Sequence, residues 1–292
     1  MTPPDAQRLQ DLAQKYPGTV RPAPRTLWQR RTLIIAFVIA FLAAAQALGL
    51  APRAFFSGLS DLGIITRQMW PPTSKGFFFD YLHALGETVA IAFLGTIAAS
   101  IISVPLGFLG ARNVVRNGFI HFGLRRVLDV VRGVDVLIWA LIFVSVVGLG
   151  PFAGILAIAL NDTGVLAKLY AEAVENADRR AGDGVRAAGG SQADVARLAI
   201  WPQVFPVFLS NSLYFFEANT RSATILGVVG AGGIGFFLAD RIRVNAWSDV
   251  AFIILMILPT VAVIDWLSRY LRRKALGRAG RAGMDVPPTA DR

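Results

Sequence analysis

Long apolar runs constrain this chain more than any motif in it. Leu33 to Leu50 carries no charge, and further runs cover about Thr88–Ala111, Val136–Leu149, Pro151–Leu160 and somewhat beyond, Val204–Val229 and Val250–Leu267. A bilayer core of ~30 Å needs about 20 mostly apolar residues at ~1.5 Å each. Four of the runs reach that length. The two between Val136 and Leu160 are individually short, and Gly148-Leu-Gly-Pro151 between them marks the turn of a helical hairpin. The pattern predicts an all-α membrane protein with six transmembrane helices. The first run follows roughly 30 polar residues without a small-residue cleavage site, so it reads as a retained helix and not as a leader. Composition agrees: 54% of residues are hydrophobic and only 16% charged, against about a quarter charged in soluble domains.

Charge placement sets the expected orientation. The net charge is +10. Of the 29 Lys and Arg, 23 precede the first run, lie between runs two and three or four and five, or follow the sixth. Five lie on the other side and Arg221 lies inside run five. Lys and Arg collect on the cytoplasmic side of membrane proteins, so both termini are expected in the cytoplasm. The expected division is a cytoplasmic segment 1–31, a first helix with a periplasmic segment over 32–83, a membrane core over 84–270 and a cytoplasmic tail over 271–292. The basic clusters flank apolar runs without interleaved stacking residues, which argues against nucleic acid. There are no cysteines and only two histidines, His83 and His121, far apart. Disulfides, thiolate metal sites and a Cys nucleophile are excluded, and no metal site or nucleophile–base pair is expected. No Walker A pattern occurs, so the chain is not expected to bind ATP.

The run Gly227-Val-Val-Gly-Ala-Gly-Gly-Ile-Gly235 fits the dinucleotide fingerprint through Gly230, Gly232 and Gly235, with Asp249 further on. It follows a membrane-length helix and precedes another apolar segment, so a βαβ unit does not fit. Gly230, Gly232, Gly233 and Gly235 are expected instead to break a helix and let backbones approach. Broken backbone at membrane depth belongs in a protein interior or beside a water-filled cavity. A gate in a path and tight packing between subunits both satisfy that. In run five, Ser210, Tyr214, Glu217, Arg221 and Thr224 fall on one stripe at 100° per residue. Glu217 and Arg221 are four apart and can pair. The stripe must face protein or water. It either borders a translocation path, with Arg221 favouring an anion, or locks helices through an ion pair. Asn161, Asp162 and Thr163 interrupt run four and are expected to cap a break there or to touch substrate. Lys168 and Glu172 are placed to pair at the end of that helix.

The segment from Asp183 to Gln203 is more than a connector in composition. Gly189 and Gly190 permit a sharp turn, Ser191 can cap a helix starting at Gln192, Asp194 suits its first turn, and Pro202 is expected to stop it and begin the next span. The order Asp183-Gly184-Val185, three residues, Gly189, nine residues, Ala199-Ile-Trp201-Pro202 resembles the cytoplasmic loop of ATP-binding-cassette (ABC) importer permeases. That loop reads Glu-Ala-Ala, three residues, Gly, nine residues, Ile-x-Leu-Pro. Together with Trp139-Ala-Leu-Ile-Phe-Val, Gly148-Leu-Gly-Pro-Phe-Ala-Gly154, Lys168-Leu-Tyr-Ala-Glu-Ala-Val-Glu175 and Phe216-Glu-Ala-Asn-Thr-Arg221 through Gly235, roughly residues 80 to 270 resemble the phosphonate-transporter permease family. Asp135 stands where that family usually shows Pro.

The resemblance implies a type I ABC importer permease fold in a bacterial inner membrane. It implies a homodimer or a pair with a paralogous permease, two ATPase subunits docked at the loop of Asp183, Gly184, Gly189, Gly190, Ser191, Asp194 and Pro202, and a periplasmic binding protein delivering a phosphorus oxyanion. ATP and Mg would be held by the ATPase partner, and no cofactor by this chain. Phosphite, hypophosphite or phosphate could replace phosphonate. A stand-alone secondary transporter or channel, with Glu217 as a proton site, is the alternative of another class.

Overall fold

The computed structural model describes residues 24–49, 52–115 and 118–284. Residues 1–23, most of the expected N-terminal segment, Arg116, and 285–292 at the end of the tail lie outside the described residues. The chain divides into two compact units, Met1–Arg67 and Gln68–Arg292. No strand occurs among the described residues.

The first unit holds α1 (Pro24–Ala47) and most of α2 (Pro52–Gln68). Arg67 in the last turn of α2 suits the helix dipole. The second unit is built on α3 (Phe78–Gly110), α4 (Gly118–Gly133), α5 (Val136–Val147), α6 (Pro151–Glu175), α7 (Arg179–Ala187), α8 (Gln192–Asp194), α9 (Trp201–Val228), α10 (Ile234–Arg243) and α11 (Trp247–Met284). A π-helical turn, Val195–Ile200, joins α8 to α9.

Among the described residues four helices are long and apolar enough to cross a membrane: α1 over Trp28–Ala47, α3, α6, and α11 over Trp247–Lys274. The pair His121–Gly133 and Val136–Val147, bent by 85°, passes the same test jointly. Two of the six expected crossings fall short of it singly, for different reasons. Helix α5 has 12 residues, only ~18 Å. Helix α9 has 28 residues but carries the polar stripe. Helix α11 continues to Met284, past residue 271, the expected start of the tail.

Helices α3 and α6 pack through small residues. A Cβ on Gly95 would lie 2.7 Å from Ile158, and one on Gly107 would lie 2.6 Å from Tyr170. Such close backbones gain dispersion contacts that lipid cannot supply. Ile91, Ala157, Ile158, Leu226 and Ala231 form a middle core. Tyr170 stacks on Phe208 with ring centroids 3.9 Å apart, in a second core with Leu166, Val195, Ile200 and Val204. This core anchors the π-helical turn to the bundle. Many large apolar side chains stay exposed, among them Phe93, Ile101 and Val146, as lipid-facing helices require.

Helix α6 runs unbroken through Asn161, Asp162 and Thr163, so the break expected there is absent. The side chains find other partners: Thr163 Oγ1 donates to Ala159 O, and Asp162 turns to α9. Lys168 likewise pairs with Asp129 at 3.6 Å and not with Glu172, because α4 packs alongside.

Candidate functional site

Three features converge on α9: a capped loop at its start, two polar faces along its length and a glycine crossing at its end.

The loop begins at α7. Asp178 caps it by accepting from Arg180 N at 3.0 Å, and its own N–H donates to Gln203 Oε1 at 2.9 Å, which ties the start of α7 to the start of α9. Exposed Asp183 pairs with Arg186 at 2.9 Å, and Gly184 O accepts from Ala188 N at 3.1 Å. Helix α7 then closes in a Schellman end. Gly189 has φ +84°, its N–H reaches Arg186 O, and Gly190 N reaches Val185 O, both at 2.9 Å. Ser191 and Asp194 form a reciprocal capping box over α8. Ser191 N donates to Asp194 Oδ2 at 2.8 Å and Ser191 Oγ accepts from Asp194 N at 3.3 Å. The side-chain and backbone hydrogen bonds from Ser191 hold the Asp194 carboxyl below its ordinary value. A cleft of about 290 Å³ opens beside the loop, bordered by Arg112, Asp178, Arg186, Gln192 and Val195.

Pro202 begins the next long helix, as expected, but does not stop the helical stretch before it. It occupies the first turn of α9, directly after the π-helical turn. Proline inside a regular α-helix clashes with the carbonyl four residues back. The wider register, in which Trp201 N reaches Ala196 O, passes the chain into Pro202 without a break. The loop is therefore a firm turn at one end and a continuous rod at the other. Val195, Ala199 and Ile200 are buried, while Leu198 is 63% exposed beside exposed Ala193, Asp194 and Arg197.

Helix α9 is polar on two opposite faces. The outer face carries the expected stripe. Ser210 and Thr224 are half-buried and Tyr214 is exposed. Arg221 lies 3.7 Å from Glu217 but 3.2 Å from Asp265 of α11. Arg272 of α11 donates to Glu217 at 2.6 Å and lies 5.8 Å from the Tyr214 ring centroid. The Arg221 charge is thus shared between two carboxylates. Asp265 and Arg272 were missed from sequence because pairing across α9 and α11 leaves no local spacing.

The inner face, also missed, is a buried hydrogen-bonded seam. The Asn219 amide donates to Thr96 Oγ1 at 2.9 Å and to Asp162 Oδ2 at 2.5 Å. Thr96 donates its own proton to Ala92 O, which leaves its oxygen to accept and fixes the Asn219 orientation. Asp162, Thr96 and Asn219 are 2%, 3% and 6% exposed. Further along, Ser100 donates to Ser212 at 2.9 Å, and Ser212 shares a hydrogen bond of 2.7 Å with Tyr170.

At its far end α9 finishes in a second Schellman motif, with Gly230 N on Gly227 O and Ala231 N on Leu226 O. Gly230 O accepts from Gly150 N at 3.0 Å, so the turn between α5 and α6 meets the glycine run. Gly232 has φ +84°, and a Cβ there would lie 2.9 Å from Pro151 N. Gly233 is the N-cap of α10 and supplies no side chain. Thr88 of α3 serves in its place, accepting from Ile234 N at 2.8 Å. A Cβ on Gly235 would collide with Thr224 O. Two helix ends, a hairpin turn and α3 thus meet backbone to backbone. A side chain on Gly232, Gly233 or Gly235 would not fit between these backbones. Among the described residues no cluster suits a metal.

The family described as binding-protein-dependent transport system inner membrane component matches residues 103–277. The chain is 35% identical over 249 residues to the phosphite transport system permease protein PtxC of Stutzerimonas stutzeri, covering 84% of this chain and 90% of that one. It is 38% identical over 234 residues to the phosphate-import permease protein PhnE of Mycolicibacterium smegmatis, covering 80% of this chain and 44% of that one. The fold is similar to a chain of the inward-facing MetNI methionine ABC transporter, with a TM-score of 0.61, 18% identity and coverage of 70% of this chain and 99% of that one.

Proposed function

The chain belongs to the binding-protein-dependent transport system inner membrane components, and from that premise we propose that it is the permease subunit of an ABC importer for a phosphorus oxyanion, phosphonate or phosphite. ATP hydrolysis belongs to a separate subunit. The observation that carries this reading is the unbroken path from the capped loop around Gly189 through the π-helical turn into α9, which ends at the glycine crossing. An ATPase pair closing on the loop would push a rod of ~42 Å whose far end is the constriction. Exposed Leu198 beside Asp194 and Arg197 suits a groove on such a partner.

The remaining assignments follow from this role. The chain would act as a pair, with a second copy or a paralogue, and each pair would take two ATPase subunits and a periplasmic binding protein. Both termini would be cytoplasmic, as the charge bias supports. The outer stripe on α9 would border the path. With Asp265 and Arg272 of α11 it makes a balanced set of two cations and two anions, so it would guide an oxyanion without trapping it. Substrate names on the related permeases favour phosphite, phosphonate or phosphate.

The test is purification of the tagged chain from native membranes, followed by uptake of radiolabelled phosphite, methylphosphonate and phosphate in cells. An ATPase subunit should accompany the chain and be lost when residues 183–202 are disrupted. A chain that purifies without an ATPase yet still transports would overturn the reading and favour a stand-alone transporter.

A further inference from the structure

Glu87 is an intramembrane acid that neither the loop nor the charged stripe uses. It lies on α3, nine residues past Phe78 and so ~14 Å along the helix. It is half-buried, and among the described residues no cation or hydrogen-bond donor pairs with it. An ionisable group at this depth is costly unless it faces protein or a water-filled cavity. Glu87 faces the glycine crossing. Its Oε1 lies 2.8 Å from the point where a Cβ on Gly232 would stand, and Pro151 N lies 2.9 Å from the same point. The next residue, Thr88, fills the place of a side chain on Gly233. Consecutive residues of α3 thus cover consecutive glycines.

The surroundings make this carboxylate decisive for charge. Residues 148–160 and 222–239, which build the crossing, contain no Asp, Glu, Lys or Arg. Helices α6 and α10 both begin there behind glycine N-caps with no side-chain cap of their own. Pro151 has no N–H and Ile234 N donates to Thr88, but the positive ends of both helix dipoles remain and would by themselves draw small anions into the constriction. Glu87 occupies that ground.

We propose that Glu87 is the specificity-determining residue of the crossing: its carboxylate bars small anions while the crossing is closed and leaves Gly232 with α3 when it opens. This rests on the importer reading. A fixed like charge raises the energy of a passing anion and lowers that of a cation, so the effect must be selective by charge.

The test uses the full-length chain, with whatever ATPase purifies with it, in liposomes without ATP. Efflux of labelled chloride and inorganic phosphate is compared with that of rubidium and glycerol. Glu87→Gln should raise anion leak about tenfold or more and leave rubidium and glycerol at the parent level. Gly232→Ala, which displaces the carboxylate, should give the same selectivity and serves if the Gln variant does not fold. Unchanged anion leak in a folded variant overturns the proposal, and so does an equal rise for all four solutes, which marks a packing defect. An absent ATPase would instead count against the importer reading.

Discussion

Glu217 takes its shortest contact from Arg272, 2.6 Å away on α11, and not from Arg221 one turn along its own helix, 3.7 Å away. Glu217 and Arg272 are 13% and 20% exposed, and Arg221 is 51% exposed. Partly buried pairs couple more strongly than exposed ones. A double-mutant cycle with Glu217→Gln and Arg272→Gln should show a coupling of about 0.5–3 kcal/mol. The cycle with Arg221→Gln should show less. Denaturant unfolding in detergent measures both, and equal coupling would mean the α9–α11 contact is not the principal one.

The inner seam should behave as one unit. Asn219→Leu leaves the Asp162 carboxylate buried without its α9 donor, which costs about 1–3 kcal/mol. Adding Asp162→Leu removes the group that was left unsatisfied, so the double variant should be more stable than Asn219→Leu alone. Melting temperatures of the three chains decide this. A double variant less stable than Asn219→Leu would show that Asp162 has partners beyond Asn219 and the neighbouring Asn161, whose amide donates to it at 3.3 Å.

Helix positions and the Gly148–Pro151 turn were legible because apolar run length and helix breakers are local signals. The Ser191–Asp194 cap was legible for the same reason: its residues are three apart. The partners of α9 were not. Asp162, Asn219 and Thr96 come from three helices, and Glu87 precedes its contact Gly232 by more than a hundred residues. Single-chain spacing carries no such information. The break expected at Asn161–Thr163 failed because polar residues favour caps only when no tertiary partner waits across the bundle. The stop expected at Pro202 failed because a π-helical register has no local sequence rule.

Acid should loosen the capped loop at Ser191 before it loosens the bundle. Ser191 depresses the Asp194 carboxyl below the ordinary aspartate value, about 4 in the unfolded chain. A depressed folded value means that the cap contributes fully above the unfolded value and is lost as pH falls through the folded one. Amide exchange at residues 191–195, corrected for intrinsic rates, should therefore accelerate below about pH 4. Ser191→Ala should show fast exchange at every pH. An unchanged pH profile in that variant would remove the capping box from the account.

Two glycine substitutions should separate the loop from the crossing. Gly189 has a left-handed φ of +84° but open space around it, with nothing within 4 Å of the point where a Cβ would stand. Alanine there strains one turn, at a cost of about 1 kcal/mol, and leaves the helices in contact. A methyl group on Gly235 meets Thr224 O and comes within 3.0 Å of Gly227 Cα, backbone that cannot swing aside. Overpacking of that kind costs about 1–3 kcal/mol. Gly189→Ala should therefore weaken ATPase retention and uptake while bundle melting stays near the parent value. Gly235→Ala should lower the melting temperature and uptake together. If Gly189→Ala lowers melting as much as Gly235→Ala, the loop is part of the bundle's cooperative unit, and its motion cannot be transmitted to the crossing through α9 alone.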